Sequence, residues 1–581
     1  MPEQWKPIVL SAKVFGHISQ GMYRTPAGAI KELISNSFDA DSRLVRIHTG
    51  YPHFDTFSCE DDGTGMSRDE FLRLMDQGIG SSYKRANNKT TTDKYKRPLI
   101  GRLGLGILAL AQICSRFDIV SHHRETKTAF RATIKFPPYT REEMDKITAK
   151  TSAKEEFVQG GEYQFDEEKF SVEKQGVRVF TKYLRESFRK RMRSSLSRYA
   201  NKKILKQSRP YKNFENFLEA IYQPHSLNKS LNLLSDYDQM IFGLALAPPL
   251  PFISNRNIVT KIPAVATRQT ELSEYKFQVL VDNISLANPV CLPSDRKDSS
   301  TSKCRVKGAE IKDFPLVDGP YKAKCQVTQH HVAVVDSDET FNLYAFDYNN
   351  KDVAGSRLAF SGYLFQQTGR LYPRDIQGIL IRLNNVAIGK FDNGMLTYPY
   401  AEGPRYSMVS SEVFVRNGFE DALNIDRDSF NELHPHYIRL QAYMHALLHE
   451  LIFPETWGEE KQRNRQRKDT IKVEQDTRFV TNLSRATGDP VRSIRRVEVA
   501  KEKGAHTPRS VPVQPVEFHS QNEEIEVNAD HALLQPLFRR TKYAPLIERL
   551  VVAFERSNSE PTVAKRRELF YKLLNDIFSD L

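Results

Sequence analysis

The first segment of the chain with residue types suited to chemistry reads ELISNSFD and covers Glu32 to Asp39. If it is helical, the carboxylate of Glu32 and the carboxamide of Asn36 stand at positions i and i+4 and share one face. A general base and a metal ligand can then point at the same phosphate group. The segment therefore predicts a helix with phosphate chemistry on one side.

A second segment, DDGTGM, covers Asp61 to Met66 and follows a run that alternates apolar and polar residues. Gly63 and Gly65 allow the chain to turn sharply and let a flat ring approach the backbone. The carboxylate of Asp61 can accept a hydrogen bond from an exocyclic amine. This segment therefore predicts the part of a nucleotide site that contacts the base.

A third segment, GRLGLG, covers Gly101 to Gly106 and directly precedes an apolar helical run that begins at Ile107. A flexible loop that opens into the N-terminus of a helix binds anions, because its N–H groups point at the ligand. The three segments together predict one nucleotide site, with the base at one end and the phosphates at the other.

The three segments, in this order, resemble the motifs of the GHKL ATPase superfamily, which includes gyrase, heat-shock chaperones, sensor histidine kinases, MutL and the microrchidia ATPases. The resemblance implies a Bergerat-type α/β sandwich that binds ATP and Mg²⁺. It also implies that Glu32 orients and deprotonates the attacking water, that Asn36 holds Mg²⁺, and that Asp61 reads the adenine amino group. The implied nucleotide-binding residues are Asn36, Asp39, Asp61, Gly63, Gly65, Met66, Lys84, Gly101, Gly104, Leu105 and Gly106.

The polar segment from Asp76 to Gly101 resembles the mobile lid of these ATPases and could close over a bound nucleotide. Within it, Lys84 is expected either to approach the phosphates as a point charge or to remain a solvated loop lysine. One position departs from the pattern of the superfamily. Where a threonine usually follows the glycine of the strand that closes the adenine pocket, Val177 follows Gly176 and offers no hydroxyl.

A further segment, LNIDRDSF, covers Leu423 to Phe430 and resembles the chaperone segment whose arginine reaches the γ-phosphate from the middle domain. The resemblance assigns this role to Arg427, which would neutralise charge on the transferred phosphoryl group. Because Arg427 belongs to a second domain, the same contact would couple domain closure to hydrolysis. The alternative is that Arg427 pairs locally with Asp426 or Asp428.

The length of 581 residues predicts two to four domains. We expect a GHKL ATP-binding domain over residues 1–205 and an α+β transducer, or middle domain, over residues 206–455. Residues 456–528 are rich in charges and amides and poor in large apolar side chains, which predicts a flexible tether. Residues 529–581 show helical apolar spacing and predict a helical C-terminal segment.

The net charge of +13 favours an acidic partner such as nucleic acid. The most basic run directly follows the strand predicted to close the adenine pocket and indicates a surface for the phosphate backbone of duplex DNA. A solvated helix between two domains is the alternative. The residues that we expect to face DNA are Arg189, Lys190, Arg191, Arg193, Lys202 and Lys203.

Three classes of GHKL protein compete for the function of the chain. The first is an ATP-driven dimeric clamp that engages nucleic acid, in genome maintenance or defence. The second is a heat-shock-type chaperone that acts on client proteins, and the third and least favoured is a histidine-type kinase. The superfamily implies a homodimer on ATP binding. Because the sequence has no apolar run of about eighteen residues and no N-terminal signal pattern, we expect a cytoplasmic protein without membrane contact.

Overall fold

The computed structural model divides the chain into two compact units, Met1–Pro454 and Glu455–Leu581. The residues that it describes are 6–11, 25–76, 90–101, 109–136, 157–199, 211–222, 230–294, 304–334, 340–353, 355–424, 428–454, 476–497, 514–521, 523–529, 531, 534–535 and 544–578.

A sheet of nine strands, counted over the described residues, underlies the predicted nucleotide site. Its order is β1-β6-β5-β4-β7-β3-β2-β8-β9, and only the pair β2 and β8 is parallel. Strands β8 and β9 lie beyond residue 205, so this sheet extends past the boundary predicted for the ATP-binding domain. The strands are β1 Lys6–Ser11, β2 Leu44–His48, β3 Phe57–Asp61, β4 Cys114–His123, β5 Thr128–Lys135, β6 Phe157–Glu168, β7 Gly176–Leu184, β8 Gln278–Val281 and β9 Ile284–Ser285.

Helix α1, Pro26–Asp39, begins where the sequence provides a strong start signal. The side chain of Thr25 accepts a hydrogen bond from the Gly28 N–H, and proline at the first helical position lacks only an N–H that would have no partner inside the helix. The helix buries Ile30, Ile34 and other apolar residues in the core of the first unit. No described helix is long and apolar enough to cross a membrane. The next helices are α2 Arg68–Asp76, α3 Glu186–Tyr199, α4 Phe214–Tyr222, α5 Asp236–Leu246 and α6 Pro263–Glu274.

A second sheet follows in the same unit, and its described part has seven strands in the order β10-β11-β12-β13-β16-β14-β15. Its strands are antiparallel except for the pair β14 and β16. Helix α7, Pro435–Leu447, packs against β10 and β12. The strands are β10 Cys304–Asp318, β11 Tyr321–Val334, β12 Thr340–Val353, β13 Ser356–Gln366, β14 Gly378–Leu383, β15 Val386–Asp392 and β16 Val409–Asn417.

The hairpin β14–β15 joins the second sheet to the C-terminal end of helix α5. The N–H of Ala387 donates to Ala247 O just after α5 at 2.9 Å, and Arg382 Nη1 donates to Leu246 O at 3.0 Å. Arg382 also pairs with Glu412 on β16 at 2.6 Å, and the two side chains are only 2% and 0% exposed. Because a buried ion pair requires accurate geometry to offset the loss of hydration, this pair holds the hairpin in one position.

The second unit combines a small sheet with helices and corrects the prediction for residues 456–528. Within that range, the described residues form helix α8 over residues 476–487 and a sheet in the order β17-β19-β18, where a flexible tether was predicted. Few apolar side chains suffice here because Leu483, Ile525 and Val527 are fully buried against Val552 and Leu573 of the terminal helices. The remaining elements are β17 Ser493–Val497, β18 Val516–His519, β19 Glu524–Asn528, α9 Ala544–Asn558 and α10 Val563–Phe578.

Candidate active site

Helix α1 places Glu32 and Asn36 one turn apart, as the sequence predicts. Glu32 is 6% exposed, whereas Asn36 is exposed. A Cβ built on Gly101 would lie 3.9 Å from Asn36 Oδ1, so the start of the third motif lies beside the same turn of the helix. The first and third motifs therefore meet at this turn. The roles of Glu32 as base and Asn36 as Mg²⁺ ligand stay predictions.

Asp61 stands at the C-terminal end of β3 and is held by three donors. Its Oδ2 accepts from Ser37 Oγ on α1 at 2.9 Å, and its Oδ1 accepts from the Gly63 N–H at 2.9 Å. The N–H of Val177 also donates to Oδ1, at 3.4 Å. The residue that replaces the usual threonine thus contacts Asp61 through its backbone, which does not depend on a side-chain hydroxyl.

Burial of the carboxyl group raises the pKa of Asp61 to about 6, although the whole residue keeps some exposed surface. The donors Gly63, Ser37 and Val177 oppose this rise because they stabilise the charged form, and the negative charge of Asp62 adds to it. A carboxylate that is costly to ionise and already oriented is suited to accepting hydrogen bonds from a bound ligand.

The loop after Asp61 is fixed by close backbone approaches that only glycine permits. Gly65 has φ +79°, and a Cβ there would lie 2.4 Å from His122 O on β4. Gly176 has φ +111°, and a Cβ there would lie 2.0 Å from Asp61 O. Met66 is bound at both its N–H and its carbonyl by Ser121 Oγ, at 2.8 and 2.9 Å. The second motif is therefore anchored on β4 and β7.

Asp39 contacts the start of the glycine-rich loop, and its predicted nucleotide contact stays a prediction. Its Oδ1 accepts from the Ile100 N–H at 2.8 Å and its Oδ2 accepts from the Gly101 N–H at 2.6 Å. Asp39 is 8% exposed, so its carboxylate is directed at the protein. These two hydrogen bonds hold the start of the glycine-rich loop against the end of α1.

Five predicted site residues lie outside the described part of the chain. These residues are Lys84, Gly104, Leu105, Gly106 and Arg427, and their roles stay predictions. Among the described residues that flank positions 425–427, Asn424 N–H donates to Ser429 O at 3.1 Å, and Asn424 Nδ2 donates to Ser429 Oγ at 2.9 Å.

Three residues around the site escaped the sequence analysis. Ser37 binds Asp61 across 24 positions of sequence, and no spacing rule links the two. Asp62 accepts from the N–H groups of Arg43 and Leu44, at 2.6 and 2.8 Å, and joins the start of β2 to the second motif. The third is Arg97, whose side chain has no exposed surface.

Arg97 fixes the C-terminal end of α1. Its Nη1 donates to the carbonyls of Phe38 and Ser42 at 3.2 and 2.7 Å, and its Nε donates to Tyr275 O at 3.0 Å. A cation stabilises the C-terminus of a helix because the free carbonyls there carry partial negative charge. The hydrogen bonds of the Arg97 side chain go to backbone carbonyls. No pattern of charged residues in the sequence could therefore have revealed them.

The described basic side chains of helix α3 form ion pairs with acids of their own unit. Arg189 and Arg193 both pair with Asp55, the latter at 2.6 Å, and Arg191 pairs with Asp236 at 2.9 Å. Lys190 has a longer contact of 3.9 Å with Glu186, and its side chain is 77% exposed. These pairs favour a structural role for the three arginines, whereas Lys202 and Lys203 lie outside the described residues.

The residue set fits a nucleotide with its metal. Asn36 offers an exposed carbonyl oxygen, the kind of ligand that Mg²⁺ accepts, one turn from the carboxylate of Glu32. Asp61 offers an oriented carboxylate at the point where Gly65 lets the backbone come close. The described residues contain no group of three or more His, Cys, Asp or Glu side chains that could hold a metal by themselves. A metal at Asn36 would thus need oxygen ligands from phosphate groups and water.

Comparison with known proteins gives a family for the part of the chain that carries this site. Residues 23–160 match the family described as histidine kinase-, DNA gyrase B- and HSP90-like ATPase. A DNA mismatch repair protein MutL of Anaplasma phagocytophilum is 29% identical over 142 residues, which cover 23% of this chain and 20% of that protein. A putative type II restriction enzyme HgiDII of Herpetosiphon aurantiacus is 29% identical over 125 residues, or 21% of this chain and 19% of that protein.

A second MutL, from Opitutus terrae, is 28% identical over 112 residues, which cover 19% of this chain and 17% of that protein. The chain thus spans about a fifth of the length of the curated relatives that it matches. The matched region contains the first motif, with Glu32, and the second motif, with Asp61, as well as the glycine-rich loop. The similarity therefore bears on the nucleotide site and leaves the remaining chain unassigned.

Proposed function

Because this chain carries a GHKL-type ATPase domain, we propose that it binds ATP with Mg²⁺ and hydrolyses it. The observation that carries the proposal is the arrangement on α1, where a nearly buried Glu32 precedes an exposed Asn36 by one turn. Asp39 of the same helix holds Gly101 at the start of the glycine-rich loop. One helix therefore presents a base and a metal ligand and positions the loop that would bind phosphate.

Each of the following site residues has a defined role in the proposed reaction. Asp61 accepts a hydrogen bond from the adenine amino group, and Gly65 lets the ring approach the backbone. Glu32 orients a water molecule and takes its proton, and Asn36 holds Mg²⁺. The metal would neutralise phosphate charge. Arg427 adds a positive charge at the terminal phosphate.

We further propose that the ATPase is an ATP-driven homodimeric clamp that engages duplex DNA in genome maintenance or defence. Two of the similar proteins are named for DNA mismatch repair and one for restriction, which supports a DNA-related role. The net charge of +13 supports an anionic partner. The similarity covers a small part of those proteins. The dimer and the DNA contact are therefore proposals, supported by the names of these proteins and by the net charge.

The proposed contact with DNA lies on α3 and the segment that follows it. The ion pairs of Arg189, Arg191 and Arg193 reduce the charge that these residues can offer to phosphates. Of the six basic residues expected to face DNA, we therefore propose that the three lysines contact the phosphates. They are the exposed Lys190 together with Lys202 and Lys203. This choice determines the test, because replacing the paired arginines would also remove contacts with Asp55 and Asp236.

The ATPase proposal is tested by calorimetry with a nonhydrolysable ATP analogue and by phosphate release from ATP, each with and without Mg²⁺. Binding and turnover that both require Mg²⁺ support it. A wild-type protein that neither binds the analogue nor releases phosphate would contradict it. Sedimentation with and without the analogue tests the clamp, for which we expect dimers to increase when the analogue is bound.

The DNA proposal is tested by measuring duplex affinity over a range of salt concentrations. Each lysine that contacts a phosphate contributes about 1 to the slope of log affinity against log salt. Changing the three lysines to Glu should flatten the slope, and the matched control changes the exposed lysines Lys127, Lys307 and Lys322 to Glu. Equal losses in both variants would place DNA elsewhere. Stimulation of turnover by unfolded protein and not by DNA would favour the chaperone alternative.

A further inference from the structure

The first sheet turns one face towards the core of its unit and the other face away from it. Val179 of β7 and Ile119 of β4 are buried in this core. Because successive side chains of a strand point to opposite faces, Arg178 and Phe180, which flank Val179, point away from the core. The outer face is the surface formed by these outward side chains of β4, β5 and β7. It carries Arg116, Arg131, Arg178, Phe180, Lys182 and Tyr183.

A bulge in β7 adds a second aromatic ring to the outer face. Phe180 lies opposite Asp118 of β4. Tyr183 lies opposite Arg116, so β7 uses three residues where β4 uses two. Thr181 Oγ1 fixes the bulge, because it donates to Arg116 O and accepts from the Tyr183 N–H at 2.9 Å. The extra residue reverses the alternation of side chains, and Tyr183 is consequently 40% exposed.

Two arginines lie beside the ring of Phe180. The guanidinium carbons of Arg178 and Arg131 are 5.2 and 5.5 Å from its centroid. Arg131 is also 3.6 Å from a carboxylate oxygen of Asp118. Arg178 forms no ion pair with a described acid, although Glu60 is its register partner on β3. One of the two cations at this ring therefore keeps its charge available.

The ring of Tyr183 is flanked by two more cations. The guanidinium carbon of Arg116 is 5.0 Å from its centroid, and the Nζ of Lys182 is 5.8 Å from it. In the described part of the chain, neither cation has an ion-pair partner, and the Nε of Arg116 has no hydrogen-bond partner. The outer face thus combines two flat rings with cations that no acid of the protein neutralises.

We propose that the outer face binds single-stranded DNA. Unpaired bases stack on Phe180 and Tyr183 or on the arginine planes beside them, and the phosphates contact the cations. A duplex keeps its bases inside the helix, so the rings gain little from duplex DNA. The choice of DNA rests on the proposed DNA-related function, to which the inference adds a second surface and a second form of DNA.

The groups left without partners determine the chemistry of the ligand. On α3, Arg191 and Arg193 are paired with acids, whereas Arg178 and Lys182 on the outer face are not. An acidic protein would use these cations but not the flat rings between them. A single strand offers phosphates and the flat faces of its bases together, and therefore matches both features of the surface.

The role of the rings is tested by fluorescence anisotropy of the full chain with a labelled oligothymidylate of about twenty nucleotides. Tyr183→Ala should weaken binding at least about fivefold, and Phe180→Ala combined with Tyr183→Ala at least about twenty-fivefold, because each ring stacks on a base. Tyr183→Phe keeps the ring and should stay within about twofold of the wild type. The matched control is Tyr571→Ala, which removes a tyrosine that is 58% exposed on α10 and should change nothing.

The role of the cations is tested by the salt dependence of the same binding. Each cation that contacts a phosphate of a single strand contributes about 0.7 to the slope of log affinity against log salt. Arg178→Gln combined with Lys182→Gln should therefore reduce the slope by about 1.4. Lys307→Gln combined with Lys322→Gln removes two exposed lysines elsewhere and should leave the slope unchanged.

Photochemical crosslinking locates the bound strand directly. Iododeoxyuridine in the oligonucleotide reacts on irradiation with an aromatic ring that stacks on it, and mass spectrometry identifies the modified peptide. We expect the crosslink on the peptide that contains Phe180 and Tyr183. A crosslink confined to other peptides would overturn the site.

Further outcomes distinguish this inference from the earlier proposals. Wild-type oligothymidylate affinity in the variant that lacks both rings, or equal weakening of its duplex and single-strand binding, would overturn the stacking surface. Tighter binding of oligouridylate RNA than of oligothymidylate would overturn the choice of DNA. A wild-type protein that binds single strands through the rings but binds no duplex would contradict the duplex site on α3 and support the outer face. Absence of ATP binding would contradict the ATPase proposal alone.

Discussion

Acidification should weaken nucleotide binding through Asp61. The burial that raises the pKa of this carboxyl group to about 6 brings its titration close to neutral pH. Only the ionised carboxylate offers acceptors on both oxygens, and Oδ1 and Oδ2 already receive hydrogen bonds from Gly63 and Ser37. Protonation would place a donor where the adenine amino group also donates.

The size of the effect follows from the fraction of ionised Asp61. Ligand binding favours the ionised form, so the affinity is fully present well above pH 6 and is lost as the pH falls through 6. At pH 5, about one tenth of the carboxyl groups with a pKa of about 6 are ionised, and the affinity should be about tenfold weaker than at pH 8. A tenfold change corresponds to about 1.4 kcal/mol of binding free energy.

Calorimetric titration with a nonhydrolysable ATP analogue at saturating Mg²⁺, from pH 8 to pH 5, measures this change. Asp61→Asn serves as the control: its affinity should be much weaker throughout, and any remaining pH dependence reports the phosphates of the nucleotide. An affinity that changes equally with pH in the wild type and in Asp61→Asn would refute the assignment of Asp61 to the base. Wild-type affinity in Asp61→Asn would refute it as well.

Three further perturbations test separate parts of the account. Asp39→Ala removes two charge-assisted hydrogen bonds from the glycine-rich loop and should lower the unfolding free energy by about 2 kcal/mol, measured by denaturant titration, and weaken analogue binding in calorimetry. Arg427→Ala should leave the dissociation constant unchanged and lower single-turnover hydrolysis by at least about a hundredfold, and equal rates would make Arg427 a local ion-pair partner. Glu412→Ala leaves Arg382 charged and buried and should lower the unfolding free energy by about 3–5 kcal/mol, whereas the double change Arg382→Met with Glu412→Leu should restore most of it.

The parts of the site that the sequence reveals are those with local spacing. Glu32 and Asn36 lie one turn apart because helix geometry alone brings i and i+4 together, and Thr25 and Pro26 mark the start of that helix. The turn of hairpin β14–β15 also has a local cause, since the consecutive residues Asn384 and Asn385 tolerate the positive φ values that it requires.

The parts that the sequence hides depend on contacts between distant residues. Asp39 belongs to the first motif, yet its partners are backbone amides of Ile100 and Gly101, which no pattern of side chains records. The side-chain hydrogen bonds of Arg97 likewise go to backbone carbonyl groups. The basic run of α3 suggested a free cationic surface because the acids that neutralise it, Asp55 and Asp236, are far away in sequence.

The domain boundaries illustrate the same limit. Strand β8 joins the first sheet beside β2 although more than two hundred residues separate them, so composition could not place the end of that sheet. In the second unit, a low apolar content suggested a tether, whereas residues such as Ile525 and Val527 alternate with Glu524 and Glu526 in a strand buried on one face. Alternation over so few residues gives a weak signal beside a strongly charged background.

Replacement of Glu32 by alanine should separate ATP binding from ATP hydrolysis. The variant should bind the Mg²⁺ complex of the ATP analogue with wild-type affinity in calorimetry, because Glu32 serves the attacking water and holds neither base nor metal. Its phosphate release should fall by at least about a hundredfold, the usual contribution of a positioned general base. Turnover within a few fold of the wild type, at equal affinity, would contradict the account and make Glu32 a structural residue of α1.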